Sequence, residues 1–191
     1  RSAQQQLFVC TPYFNLPKPL AKDIRSLLKK GVTVTLVIGD KTANDFYIPP
    51  EQPFRTIGGL PYLYEANLRR FARTHQTAIY QGKLNIMIWQ HEHHSYHLKG
   101  LLVDNDLAMI TGNNLNPRAW GLDLENGLLL QDPELLLQAR FEKEKYHILE
   151  HCQRIEHFSE IDEVADYPVP VQKLLKRVQR TRANVLLKRL L

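Results

Sequence analysis

A chain of 191 residues and 22.2 kDa holds one ordinary compact domain and is too short for two with separate large cores. Its 43% apolar and 24% charged content exclude disordered and collagen-like polymers. Two cysteines, Cys10 and Cys152, exclude a disulfide scaffold and are expected as reduced thiols in a cytoplasmic setting, and no apolar run approaches the ~20 residues that span a bilayer. The net charge of +5 favours polyanionic partners: nucleic acid, acidic lipid or a phosphate-bearing substrate.

The first residue is Arg1 rather than methionine, which leaves room for a longer polypeptide. Residues 6–14, "QLFVCTPYF", form an apolar run closed by Asn15 and Pro17 and are expected as a buried strand. Residues 19–30 place Leu20, Ile24, Leu27 and Leu28 at helical spacing between a proline and Gly31. The β-branched run 32–38 then completes a βαβ unit. Residues 39–59 carry three prolines and make a connection long enough to imply a use, so Lys41, Asn44 and Tyr47 are candidate contacts to a headgroup or nucleotide.

A helix is expected over 60–80, with Arg69, Arg70 and Arg73 on one side, followed by a strand over 84–90. Two short strands, 96–103 and 107–112, are joined by the tight turn "DND", and another strand spans 126–131. Pro133 is expected to open a helix running to about 150. Residues 155–170 have a linker's composition. The end, 171–191, has seven Lys or Arg, no acidic residue, and Val171, Leu174, Leu175 and Val178 at helical spacing. It reads as a basic amphipathic helix that packs on the domain or lies on an anionic membrane surface. The expected organisation is therefore a domain over 1–154, a linker over 155–170 and a helix over 171–191.

The chemistry concentrates in "HLKGLLVDNDLAMITGNNLNPRAW", residues 97–120. In extended backbone His97 and Lys99 project to one side and Leu98 to the other. The return strand brings Thr111, Asn114 and Asn116 back toward them. An imidazole, an ammonium and carboxamides around one point suit a phosphoryl group that gains negative charge during reaction. The set requires no metal or cofactor. The nearby "HEHHSYH", 91–97, misses the His-Glu-x-x-His spacing, because Ser95 stands four residues after His91.

These residues resemble the signature of the phospholipase D superfamily, His-x-Lys-x4-Asp-x6-Gly-Ser-x-Asn. His97, Lys99 and Asp104 fit it, Asn114 keeps the last position, and Thr111 and Gly112 depart from the Gly-Ser pair. Together with "TPYF" and "LLKKGVTVTLVIGDKTAND", the segment looks most like the Gram-negative-type phosphatidylserine synthases of that superfamily, over nearly the whole chain.

The resemblance implies an α/β fold with a mixed, largely parallel sheet flanked by helices. It forms one of two similar halves, and each half carries one such motif. The second half must come from a missing region or from a homodimer partner. It further implies CDP-diacylglycerol and L-serine as substrates, a phosphatidyl-histidine intermediate, and a cytoplasmic enzyme held peripherally at the inner membrane. His97 would act as general acid and base, with nucleophile as the alternative. Lys99 and Asn114 would stabilise the phosphoryl oxygens, Glu125 would hold the Nδ1 proton of His97, and Asp104 would brace the motif turn. Two other readings stay open: a homodimeric phosphodiesterase of the same superfamily or a cardiolipin synthase-like enzyme, acting on phospholipid or nucleic acid, and a non-catalytic lipid- or nucleic-acid-binding module.

Overall fold

The computed structural model describes residues 3–180; the last part of the predicted basic helix, 181–191, lies outside the described residues. Seven strands form one sheet in the order β6-β5-β4-β1-β2-β3-β7. They span Gln6–Thr11 (β1), Thr33–Gly39 (β2), Leu84–Trp89 (β3), Gly100–Val103 (β4), Leu107–Thr111 (β5), Gly127–Gln131 (β6) and Cys152–Ile155 (β7). The sheet is mixed, as expected, but its parallel part is smaller than expected. Only β1–β2 and β2–β3 pair in parallel, and the other pairings are antiparallel. Of the antiparallel pairs, β4–β5 is a hairpin closed by a short turn, which can only join antiparallel strands, while β1–β4 and β3–β7 join segments distant in sequence.

Period-2 alternation explains the layers. Leu7 and Val9 of β1, with Val34, Leu36 and Ile38 of β2, pack beneath α1 (Lys18–Lys29), α2 (Leu60–Thr74) and α3 (Gln76–Tyr80). Phe8, Cys10 and Val37 face the opposite way, toward Tyr96 and Ile148 of α5 (Gln138–Leu149). The central strands are thus apolar on both faces, which is why the sequence there reads as continuous apolar runs.

Three expected elements differ. The 60–80 helix is broken at His75, whose Nδ1 contacts the Phe71 carbonyl at 2.8 Å while its backbone leaves helical values. The helix expected from Pro133 begins at Gln138, because Asp132 closes a turn first: its backbone carbonyl accepts from Leu135 N–H at 3.0 Å and its side chain from Leu137 N–H at 2.6 Å. The strand β7 was hidden between that helix and the acidic stretch. Residues 155–170, expected as a linker, contribute buried Ile155, Ile161 and Tyr167. Beyond them α6 (Val169–Arg180) packs Val171 and Leu175 against Tyr62 of α2 and Tyr167.

Candidate active site

The parallel strands β1 and β2 end side by side, and the chain leaving each makes a wall of the same crevice, the usual ligand position in open α/β sheets. From β1 comes Pro12-Tyr13-Phe14. From β2 comes the turn 40–45, closed by Asp40, whose carboxylate accepts from Thr42 N–H at 2.8 Å. The segment before β4 supplies His97 and Lys99. It is extended but is not itself ladder-paired, since β4 begins only at Gly100. The Tyr96 N–H donates to the Ala43 carbonyl at 2.9 Å, and the buried Tyr96 ring rests against Gly39 and Trp89. This clamp sets the β2 loop beside the histidine.

His97 and Lys99 do project to one side. Lys99 Nζ lies 2.9 Å from His97 Nδ1 and donates to the His97 carbonyl at 2.8 Å. On the other edge of the ring, Nε2 meets the Asp45 carboxylate and lies 3.2 Å from the Tyr13 hydroxyl. Tyr13 Oη in turn donates to Asp45 Oδ2 at 2.9 Å, and its ring stacks on Tyr64 at 5.4 Å. Burial pushes the Asp45 carboxyl up, but the hydrogen bonds from His97 and Tyr13 outweigh it and hold the group below its usual range. Burial lowers Lys99, with Asp45 and Glu125 partly offsetting that. The Tyr13 hydroxyl is pushed up by burial and by Asp45, so it stays a neutral donor.

The other expected site residues divide. Glu125 is in reach of Lys99's charge, yet the partner at His97 Nδ1 is Lys99 rather than Glu125. Its carboxylate occupies the space over Gly112: a Cβ at that glycine would land on Glu125 Oε2. A side chain at Gly112 would have to displace the Glu125 carboxylate. Gly112→Ser is therefore expected to swing the flexible Glu125 away from Lys99. The expected result is a loss of roughly ten- to a hundredfold in turnover with thermal stability within about 0.5 kcal/mol, read by parallel activity and melting measurements.

Asn113 Oδ1 and Asn114 Oδ1 are both buried with no partner among the described residues, and Asn113 Nδ2 donates to the Ala119 carbonyl at 3.1 Å. Asn116 is instead the N-cap of α4 (Pro117–Gly121), accepting from Ala119 N–H at 2.8 Å. Thr111 donates its hydroxyl to the Asn126 carbonyl at 2.8 Å and accepts from Asn113 N–H at 3.0 Å, so the turn consumes it. Lys41 is tied to Glu65 and Asp162 at 2.8 Å each and joins the β2 loop to α2 and the C-terminal segment rather than facing the site. Asp104 sits at the far end of β4, roughly 23 Å of extended chain from His97. It accepts from the backbone N–H groups of Gln4, Gln5 and Gln6 at 2.6, 2.9 and 2.8 Å, a structural role. Asp104 and Asn105 both have positive φ, 50° and 65°, in the three-residue link 104–106 between the paired Val103 and Leu107. Of the arginines, Arg69 donates to the Phe158 carbonyl at 3.1 Å and pairs with Glu163 at 3.2 Å.

The family model described as "Cardiolipin synthase, PLD-like domain" matches residues 1–145. The chain belongs to the phospholipase D-like family. Within it, the chain is 52% identical over 188 residues to a CDP-diacylglycerol–serine O-phosphatidyltransferase of Haemophilus influenzae, covering 98% of this chain and 41% of that protein. It is 50% identical over 189 residues to the Escherichia coli protein of the same activity, covering 99% and 42%.

The crystal structure of the Haemophilus influenzae phosphatidylserine synthase superposes with a TM-score of 0.96 at 51% identity, over 99% of this chain and 42% of that one. A phospholipase D family member, Nuc, from Salmonella typhimurium shares the fold at a TM-score of 0.51 and 16% identity, over 81% of this chain and 84% of that one. The chain thus spans about two-fifths of the length of the curated relatives it matches.

The sequence missed Asp45 and Tyr13. "TPYF" and the long 39–59 loop were both conspicuous, but which loop side chain turns inward depends on the Tyr96–Ala43 clamp, a contact across 53 residues of sequence.

Proposed function

We propose that this chain supplies one half of the active site of a CDP-diacylglycerol–serine O-phosphatidyltransferase. The observation that carries the reading is 52% identity over 188 residues to an enzyme of that activity, in a chain whose His97 and Lys99 converge where a phosphoryl group would sit. In the reaction one histidine attacks phosphorus and CMP leaves with the cleaved oxygen bond. Serine's hydroxyl then displaces the histidine, giving phosphatidylserine. His97 is the acid and base of this exchange, and the nucleophile belongs to the second motif-bearing half. Lys99 and Asn114 hold the phosphoryl oxygens.

Two surfaces support the partners. An open groove of about 840 Å³ runs from Phe14 beside Tyr13 to Trp120 of α4, with apolar walls and Lys18, Arg25 and Arg70 at its rim, a chemistry suited to an anionic lipid. Next to the Trp120–Gly121 end of the groove, Leu122 and Leu124, with Leu128 and Leu129 of the edge strand β6, are exposed, which suits coverage by the second half. No helix of the described residues is long and apolar enough to cross a membrane. Contact with the inner membrane from its cytoplasmic side is peripheral in this reading, through the groove rim and the basic face of α6.

The test uses a protein of the relatives' full length that contains this chain. Incubated with CDP-diacylglycerol, it should release CMP in proportion to added L-serine. Release that ignores serine points instead to a hydrolase, and no release at all overturns the reading.

A further inference from the structure

We infer that the groove between the β2 loop and the histidine cluster at the ends of β3 and β7 holds the cytidine monophosphate part of the nucleotide–lipid substrate, with the base among aromatic side chains and the phosphate on imidazole N–H groups. The inference rests on the phosphatidyltransferase reading above and names the subsite of its leaving group.

Position in the sheet leads to it. The register puts Gly100 of β4 beside Cys10, Thr11 beside Ile38, Gly39 beside Trp89 and Trp89 beside Cys152, so these strand ends form one row along a single edge. His97 stands three residues before Gly100, His91 two residues after Trp89, and His151 one residue before Cys152. From β4 to β3 the row crosses three strand spacings, about 14 Å. A nucleoside carried on a diphosphate covers such a span, so a substrate whose reacting phosphorus sits at His97 can bring its base to this groove.

The lining has the matching chemistry. The groove, about 820 Å³, takes Thr42, Tyr47 and Pro49 from the β2 loop and His91, His151 and Gln153 from the β3 and β7 side. Flat rings contributed from two segments suit a nucleobase, which stacks on them. The imidazoles are packed together: the His91 ring lies 4.4 Å from His94 and 5.2 Å from His151, and Trp89 stacks on it at 6.1 Å. His91 Nδ1 accepts the His93 backbone N–H at 3.2 Å, so the neutral ring carries its proton on Nε2, a donor for a phosphate oxygen. Loss of hydration, with His94, His151 and His93 nearby, holds His91 below its usual range. Crowded imidazoles repel one another once protonated, and a phosphate among them removes that cost. Glu92 lines the groove as well, its carboxylate 3.9 Å from His93 Nε2, and a carboxylate is an acceptor for the exocyclic amine of cytosine.

The two ends of the substrate then part by chemistry. The apolar groove from Phe14 to Trp120 lies on the α1 and α2 side and suits the acyl part, while the polar, ring-lined groove lies toward β7. The β2 loop serves both the reacting centre and the nucleotide, since its Asp45 meets His97 and its Thr42 and Tyr47 line the groove. The run of histidines before His97 thereby gains a use that the motif itself does not give it.

The experiment measures CMP binding to the full-length protein by calorimetry, beside steady-state kinetics and melting on the same preparations. CMP should bind, with UMP and cytidine each weaker by at least about threefold and with an equal concentration of inorganic phosphate displacing little of it. His91→Ala and His151→Ala should each weaken CMP about 5- to 20-fold and lower kcat/KM for CDP-diacylglycerol by a similar factor, while kcat/KM for serine moves less than about twofold. A parent that binds no CMP, or variants that bind it as the parent does, would overturn the inference. So would UMP binding as tightly as CMP, or phosphate displacing CMP as well as CMP displaces itself, which would leave a general anion site. Should the parent bind CMP through these histidines yet transfer nothing to serine, the functional reading fails and the nucleotide site stands.

Discussion

Replacing His97 by asparagine in the full-length protein should reduce serine-dependent CMP release by about 10²- to 10⁴-fold, the range a positioned proton-transfer group supplies. The expectation follows from the inventory of the site. The imidazole is the group there that can both accept and donate a proton at a ring nitrogen, and Lys99, Asn114 and Tyr13 can only hold or polarise a phosphoryl group. Asparagine fills a similar volume and cannot pass a proton.

The fold should survive the change. His97 is half exposed and lies outside the strand ladder, so thermal unfolding should move by no more than about 0.5 kcal/mol. Activity and melting measured on one preparation separate the two effects. A variant that retained more than a tenth of parent turnover would remove His97 from the chemistry.

The largest expected effect on stability is at Asp104, the motif's own aspartate. Asp104→Ala strips the acceptor from three backbone N–H groups, those of Gln4, Gln5 and Gln6. Charge-assisted hydrogen bonds are worth about 1.5–3 kcal/mol each when buried, and partial exposure discounts them, so a total near 2 kcal/mol is expected. That is a fall of about 4–8 °C in Tm for a domain of this size.

The effect depends on pH. Burial pushes this carboxyl up, but the backbone donors of Gln6, Gln4 and Gln5 outweigh it, so the folded pKa lies below the unfolded value. A depressed carboxyl contributes its stability above the unfolded value and loses it as pH falls through the folded one. Parent and variant should therefore differ fully at pH 7 and converge well below pH 4, the ordinary aspartate range. Urea titrations at the two pH values check this, and a difference that persisted in acid would mean that packing rather than charge holds the segment.

These two residues show what the sequence could report. The spacing of His97 and Lys99 carries its meaning locally, because alternation alone sends both side chains one way. The role of Asp104 was legible as a turn brace, while the three amides it serves lie about a hundred residues upstream. Lys41 and Asn116 were attractive by type and position, and each turned out committed to a structural task, Lys41 bridging Glu65 and Asp162 and Asn116 capping a helix.

The strand β7 has only four residues, Cys152–Ile155, with no clear alternation, and just its last residue is buried, so its pairing to β3 was invisible without the fold. The central strands were legible because both faces are apolar. The small share of parallel pairing was less so, since the antiparallel pairs β1–β4 and β3–β7 join residues more than sixty positions apart.

The outermost strand has a practical consequence. Among the described residues, Gly127–Gln131 has a strand on one side only, and Leu128 and Leu129 are each more than half exposed on it. An uncapped row of amides and carbonyls flanked by leucines is a template on which another extended segment can add itself. Severed from whatever covers that margin, the polypeptide should be prone to self-association and poor yield, and a lysine at position 129 is a simple way to blunt it.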